Sequence, residues 1–115
     1  MSNKSILQRA NAAVSQGDNE GFLSNCHDDL IWNFVGDQIL RGKEAVREYM
    51  RENYKSPPKF SVTHMIEEGD FVAAIGSIMI KDDEGFENQH PYCDVWRFQD
   101  GKMIELTAFV IKSKE

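Results

Sequence analysis

The chain has 115 residues, enough for one domain, residues 1–115, whose core buries roughly two-thirds of the unfolded surface. A hydrophobic share of 41%, a charged share of 28% and a formal net charge of −6 describe an ordinary globular protein and exclude a general nucleic-acid-binding surface, which needs clustered Lys and Arg. No apolar run approaches the ~20 residues of a membrane span, and residues 1–13 carry no signal-peptide core, so a cytoplasmic protein with no membrane partner is expected.

Taken in order, residues 3–16 place Ile6, Leu7, Ala10, Ala13 and Val14 along one helical stripe, and Gly17 suits its C-terminal stop. Asp18 or Asn19 caps a short second helix holding Phe22 and Leu23. Leu30 to Val35 reads as a strand with Leu30, Trp32 and Phe34 on one face. Gly36-Asp37 breaks it, and residues 38–42 read as a loop. A third helix follows over about 43–54, with Val46, Tyr49, Met50 and Asn53 or Tyr54 inward and a solvated face of alternating charges outward. Ser56-Pro57-Pro58 ends it.

From Lys59 the period becomes two. Phe60, Val62, His64 and Ile66 alternate with Ser61, Thr63 and Met65. Glu68-Gly69-Asp70 turns the chain into Phe71–Ile80, a nearly continuous apolar strand expected to be covered on both faces. Lys81 to Gly85 is a charged hairpin loop, and the following strand closes on Asp100-Gly101, a strong hairpin signal. Lys102–Ile111 makes the last strand. The expected fold is α+β, in the order α-α-β-α-β-β-β-β, with a strongly curved antiparallel sheet wrapped round the N-terminal helices.

The stretch around Asp94 holds the best candidate for chemistry, if its face lines a pocket. Tyr92, Asp94, Trp96 and Phe98 share one face of a strand, and Cys93, Val95 and Arg97 share the other. An ionised, unpaired acid among three aromatics is costly, so Asp94 must be solvated, bonded, paired or protonated. It is the candidate general acid or base. The competing reading is a structural carboxylate bonded to a neighbouring group. Trp32, Phe34, Tyr49, Tyr92, Trp96 and His64 are candidate substrate-binding residues, with core packing the alternative for the aromatics. Tyr54 is a further candidate hydroxyl donor. His90 shares the parity of Asp94. With His27 and His64 it forms no metal-ligand spacing, and no phosphate loop or nucleophile elbow is present, so neither a metal nor a cofactor is expected. Cys26 and Cys93 read as free thiols.

Four strings carry a family resemblance: Ala12-Ala13-Val14-Ser15-Gln16-Gly17-Asp18, Arg41-Gly42-Lys43-Glu44-Ala45-Val46, Glu68-Gly69-Asp70-Phe71-Val72 and residues 94–102. In this order they resemble the SnoaL-like and ketosteroid-isomerase-like group of the nuclear transport factor 2 superfamily. The resemblance implies a cone-shaped α+β barrel, an apolar pocket in its wide end, a small apolar ligand and commonly a homodimer through the outer sheet face. Val95, Arg97, Thr107 and Phe109 would then lie near the dimer contact. The isomerases of that group use a first-strand Asp as base and hold the ligand oxygen with a helix Tyr and a protonated Asp on the third meander strand. The last falls on Asp94, but the first falls on or beside Phe34 and the Tyr on Ala10. The chain is therefore not a standard steroid isomerase, and the Asp-Arg-Asp arrangement of limonene epoxide hydrolases is not evident either. Two function classes remain: a cofactor-free isomerase-, cyclase- or lyase-type enzyme acting through Asp94, or a non-catalytic dimeric binding module with a vestigial pocket.

Overall fold

Ile6, Leu7, Ala10 and Val14 lie buried along one side of α1 (Asn3–Ser15) in the computed structural model of the protein, which describes residues 2–111. The Ser2 hydroxyl caps this helix by accepting from the Ser5 N–H at 3.1 Å. Asp18 does the same for α2 (Asn19–Leu23), accepting from the Gly21 N–H at 2.9 Å. Then come β1 (Cys26–Phe34), β2 (Gln38–Arg41) and α3 (Lys43–Asn53). The chain finishes with β3 (Phe60–Glu68), β4 (Phe71–Lys81), β5 (Glu87–Gln99) and β6 (Lys102–Val110).

The six strands form one curved, unclosed sheet in the order β2-β1-β6-β5-β4-β3. The expected α+β architecture is present, with two differences. Residues 38–41 are a strand rather than a loop, because Gly36 adopts φ 83° and folds β2 back antiparallel onto β1. The sheet is also mixed rather than wholly antiparallel. β6 already pairs with β5 on one side, and β1 runs parallel to its other side with Trp32 beside Leu106 and Phe34 beside Ala108. The hairpin predicted at Asp100-Gly101 is present, with both residues at positive φ (52° and 75°), as a tight turn with type I′ twist requires.

The helices cover the concave face of the sheet. Leu7, Phe22, Val46 and Met50 from the helices meet Trp32, Trp96 and Leu106 from the strands in one buried cluster. Among the described residues no helix lies over the convex face, so β4 is covered on one face only, contrary to the expectation from its apolar run. Val72 and Ala74 are buried, while Phe71 and Ile75 remain 49% and 39% exposed.

A β-bulge in β3 corrects the placement of His64. Val62 sits opposite Gly76, but the next matched pair is His64 with Ile75, so Thr63 is an extra residue. Its hydroxyl donates to the Ile75 carbonyl at 2.9 Å. The bulge reverses the inward and outward alternation. Phe60, Val62 and Met65 pack on the core, and His64 and Ile66 are exposed. Gly76 makes room for the bulge: a Cβ there would lie 1.8 Å from the Ser61 carbonyl oxygen.

Candidate functional site

Asp94 lies in the middle of β5, directly opposite Ala74 on β4 and Ala108 on β6. The same row continues to Phe34 on β1. The row on one side joins Trp96 to Val72 and Leu106, with Trp32 beyond. The row on the other joins Tyr92 to Gly76 and Val110. Two methyl side chains therefore flank the carboxylate while large groups stand above and below it. Space opens over Asp94 because its neighbours are too small to fill it.

That space is a cavity of about 120 Å³. Trp32, Phe34, Trp96 and Phe22 form an aromatic wall, with Trp32 edge-on to the other three at centroid distances of 5.8–6.3 Å. Tyr54, Tyr92, Phe60 and Asn11 complete much of the lining around Asp94.

Burial pushes the Asp94 carboxyl up to about 7. The residue keeps some accessible surface, but it faces the cavity rather than open solvent. Among the described residues no side chain or backbone group hydrogen-bonds or ion-pairs with it, so nothing offsets desolvation of its charged form. The tyrosines register the same environment. Burial, then the Tyr49 and Asp94 charges, pushes the Tyr54 hydroxyl well above its ordinary range. Burial and the Asp94 charge push Tyr92 up to about 12. Both stay neutral and serve as O–H donors or acceptors. The Trp32 Nε1–H is buried without a partner.

Of the residues singled out from the sequence, Asp94, Trp32, Phe34, Tyr92 and Trp96 converge on the cavity. Tyr49 does not line it. Its ring packs tilted against Phe34 at 5.4 Å and edge-on to Trp32 at 6.1 Å and props the aromatic wall. His64 is removed from the cavity by the bulge. His90 is buried on the Asp94 side of β5, with its Nδ1 unpartnered, but does not reach the lining. Asn11 was not anticipated. Its signal was present, since it lies four residues after Leu7 and three before Val14 and so is a polar residue within the apolar stripe of α1. Cys26 and Cys93 are free, and burial pushes the Cys26 thiol up to about 12, leaving it inert. Among the described residues no three His, Cys, Asp or Glu side chains converge as metal ligands would.

The SnoaL-like domain family model matches residues 7–106. The chain belongs to the SnoaL-like domain family. Solved structures place this SnoaL-like domain among NTF2-like folds. An NTF2-like protein of unknown function from Burkholderia pseudomallei K96243 superposes with a TM-score of 0.86 at 18% identity, over 96% of this chain and 92% of that one. An LEH-like epoxide hydrolase from M. tuberculosis gives 0.83 at 15% identity, over 95% and 82%. TerC co-crystallised with polyporic acid gives 0.82 at 19%, over 95% and 91%. At these identities the likeness concerns the fold. No curated protein sequence matches the SnoaL-like chain.

Proposed function

We propose that the Asp94 cavity binds a small, mostly apolar molecule carrying one polar oxygen, and that Asp94 serves it as a cofactor-free general acid or base. One observation carries this reading: a carboxyl poised near neutrality, without an internal partner, faces an apolar cavity. A group with a midpoint of about 7 exists in both protonation states at neutral pH. Isomerisation, cyclisation and elimination each need a proton taken from one ligand atom and another delivered, and such a carboxyl can do either. When protonated, Asp94 donates to the ligand oxygen. The two tyrosine hydroxyls and the Asn11 carboxamide are further polar groups of the lining available to orient it. The catalytic role fits the family likeness to enzymes only at the level of fold.

A second reading, binding without turnover, has its own support. By the sequence resemblance, the base position of ketosteroid isomerases falls on or beside Phe34 and the hydroxyl-donor position on Ala10, and Ala10 is fully buried in the core. Turnover and binding separate in one experiment. The wild type and Asp94→Asn are screened by thermal shift against small ketones, lactones and epoxides, and stabilising compounds are then incubated and followed by mass spectrometry. Conversion by the wild type and its loss in the variant support the enzyme. Binding by both with conversion by neither supports the module. Binding by neither removes both readings.

We also propose a homodimer through the convex sheet face. Ile75, Cys93 and Phe109 form one cross-strand row there, and Ala73, Val95 and Thr107 the next. Phe109 is 42% exposed, and an apolar strip this continuous on a sheet face favours burial. The free thiols Cys26 and Cys93 suit a reducing compartment, and we place the protein in the cytoplasm.

A further inference from the structure

The Asp94 cavity is small for a metabolite. At about 120 Å³ it approaches the ~150 Å³ that admits benzene but falls short of the roughly 300–1,000 Å³ of ordinary small-molecule sites. A second depression of about 430 Å³ lies between α1 and the edge strand β3, lined by Lys4, Gln8, Asn11, Thr63 and His64 over a floor of Val62 and Met65. Asn11 lines both spaces.

The shared residue follows from how the two elements run. Lys4, Gln8, Asn11 and Val14 recur at helical spacing along one side of α1, from the groove (Lys4, Gln8) through Asn11 to the cavity (Val14). Along β3, Phe60 lines the cavity and residues 62–65 line the groove. Both elements thus lead from the apolar space to the polar one. At the far end α1 is tied to β3 by the Lys4 N–H donating to Glu67 at 3.2 Å. The bulge that turns His64 away from the cavity sets it at the edge of this groove instead.

We infer that the α1–β3 groove is a polar annex of the Asp94 cavity, joined to it past Asn11, and that the ligand is an amphiphilic acid: a compact, mostly apolar end bearing the one polar oxygen beneath Asp94 and a carboxylate end on Lys4. The inference rests on the cavity being a ligand site, as proposed above. Among the described residues the groove lining holds amide, hydroxyl and imidazole groups and one ammonium, and no carboxylate. Lys4 makes no ion pair among the described residues, and the nearby Glu67 carboxylate is engaged by the Lys4 backbone. Asn11 and Lys4 are two helical turns apart, about 10 Å along the axis, so reach along the groove selects the length of the tail. Asn11, whose carboxamide has no partner among the described residues, is placed to bond the ligand where it passes from one space to the other.

The test uses benzene, phenylacetate, phenylbutyrate and phenylhexanoate, with the methyl esters of the three acids, titrated by amide NMR into the full chain and into Lys4→Glu and Gln8→Trp. The expected result is benzene binding in all three proteins, with shifts at Ala74, Asp94 and Ala108. The longer acids bind the wild type tighter than their esters by about two- to fivefold, the size of an exposed charge contact. Lys4→Glu removes that advantage, and Gln8→Trp weakens the longer acids but not phenylacetate. If benzene binds while acids and esters remain equal, or Lys4→Glu changes nothing, the annex is overturned and the cavity stands. Acids that shift only groove amides overturn the connection past Asn11. If neither benzene nor any acid binds, the cavity reading fails and the annex with it.

Discussion

Asp94 on β5 and Ala108 on β6 are directly opposed in the sheet, and the carboxyl faces a space that a larger side chain at position 108 would occupy. A cavity and a perturbed acid thus have one origin. The small neighbours leave room, the aromatic wall keeps that room apolar, and Asp94, unpaired inside it, is held near neutrality.

Asp94→Asn is expected to raise stability in a pH-dependent way. The folded-state midpoint of about 7 lies above the ordinary unfolded value near 3.9, so folding favours the protonated form. The wild type therefore loses stability as pH rises between these two values and recovers none above them. The whole loss is at most on the order of 4 kcal/mol, at about 1.4 kcal/mol per unit. The variant should match the wild type near pH 4 and exceed it by several degrees in Tm near pH 8. Urea melts at the two pH values measure this. A variant less stable at both would mark Asp94 as a structural carboxylate.

Ala108→Leu should fill the cavity. Its three added carbons enter open space beside Asp94, so the stability cost should not exceed the roughly 1–3 kcal/mol of small-to-large core changes. Benzene binding should be lost, and the Asp94 midpoint should rise further as the last accessible surface is covered. Calorimetry and a carboxyl titration report the two effects separately.

How far the site could be read from sequence depended on local regularity. Strand β5 alternates without interruption from Tyr92 to Trp96, so period two alone put Asp94 with the two aromatics facing inward. The same rule failed at His64, because the bulge at Thr63 is fixed by contact with Gly76 and Ile75 on the neighbouring strand. Tyr49 and Tyr54 both fit the inner side of α3 by spacing. Only Tyr54 lines the cavity, since it is the C-cap at φ −111° and ψ 45°, where the helical repeat no longer sets side-chain direction. Strand β2 was missed because four mostly exposed residues carry almost no periodic signal. The convex face of β4 read as buried because its apolar run records a need for cover, whichever partner supplies it.

Gly76→Ala should destabilise the fold by roughly 1–3 kcal/mol, since the added methyl would meet the Ser61 carbonyl, a backbone atom with no rotamer to escape into. Chemical denaturation checks the magnitude. An unchanged midpoint would mean that the bulge is not held against Gly76.

Phe109→Glu should convert a dimer to a monomer. The exposed ring lies beside Cys93, with Ile75 next beyond it in the central convex row, and a carboxylate there would be desolvated on association. Light scattering at tens of micromolar, well above typical obligate-dimer affinities, should give twice the chain mass for the wild type and the chain mass for the variant. A monomeric wild type would remove the dimer and leave the convex strip without a partner.

The most direct test of the central claim is a carbon-13 NMR titration of the Asp94 side-chain carboxyl in the full chain, assigned by its absence in Asp94→Asn. A midpoint near 7 is expected, moving when a cavity ligand binds. A midpoint near 4, the ordinary carboxylate value, would contradict the claim, because it would show that Asp94 is solvated or paired in solution and has no poised proton to exchange.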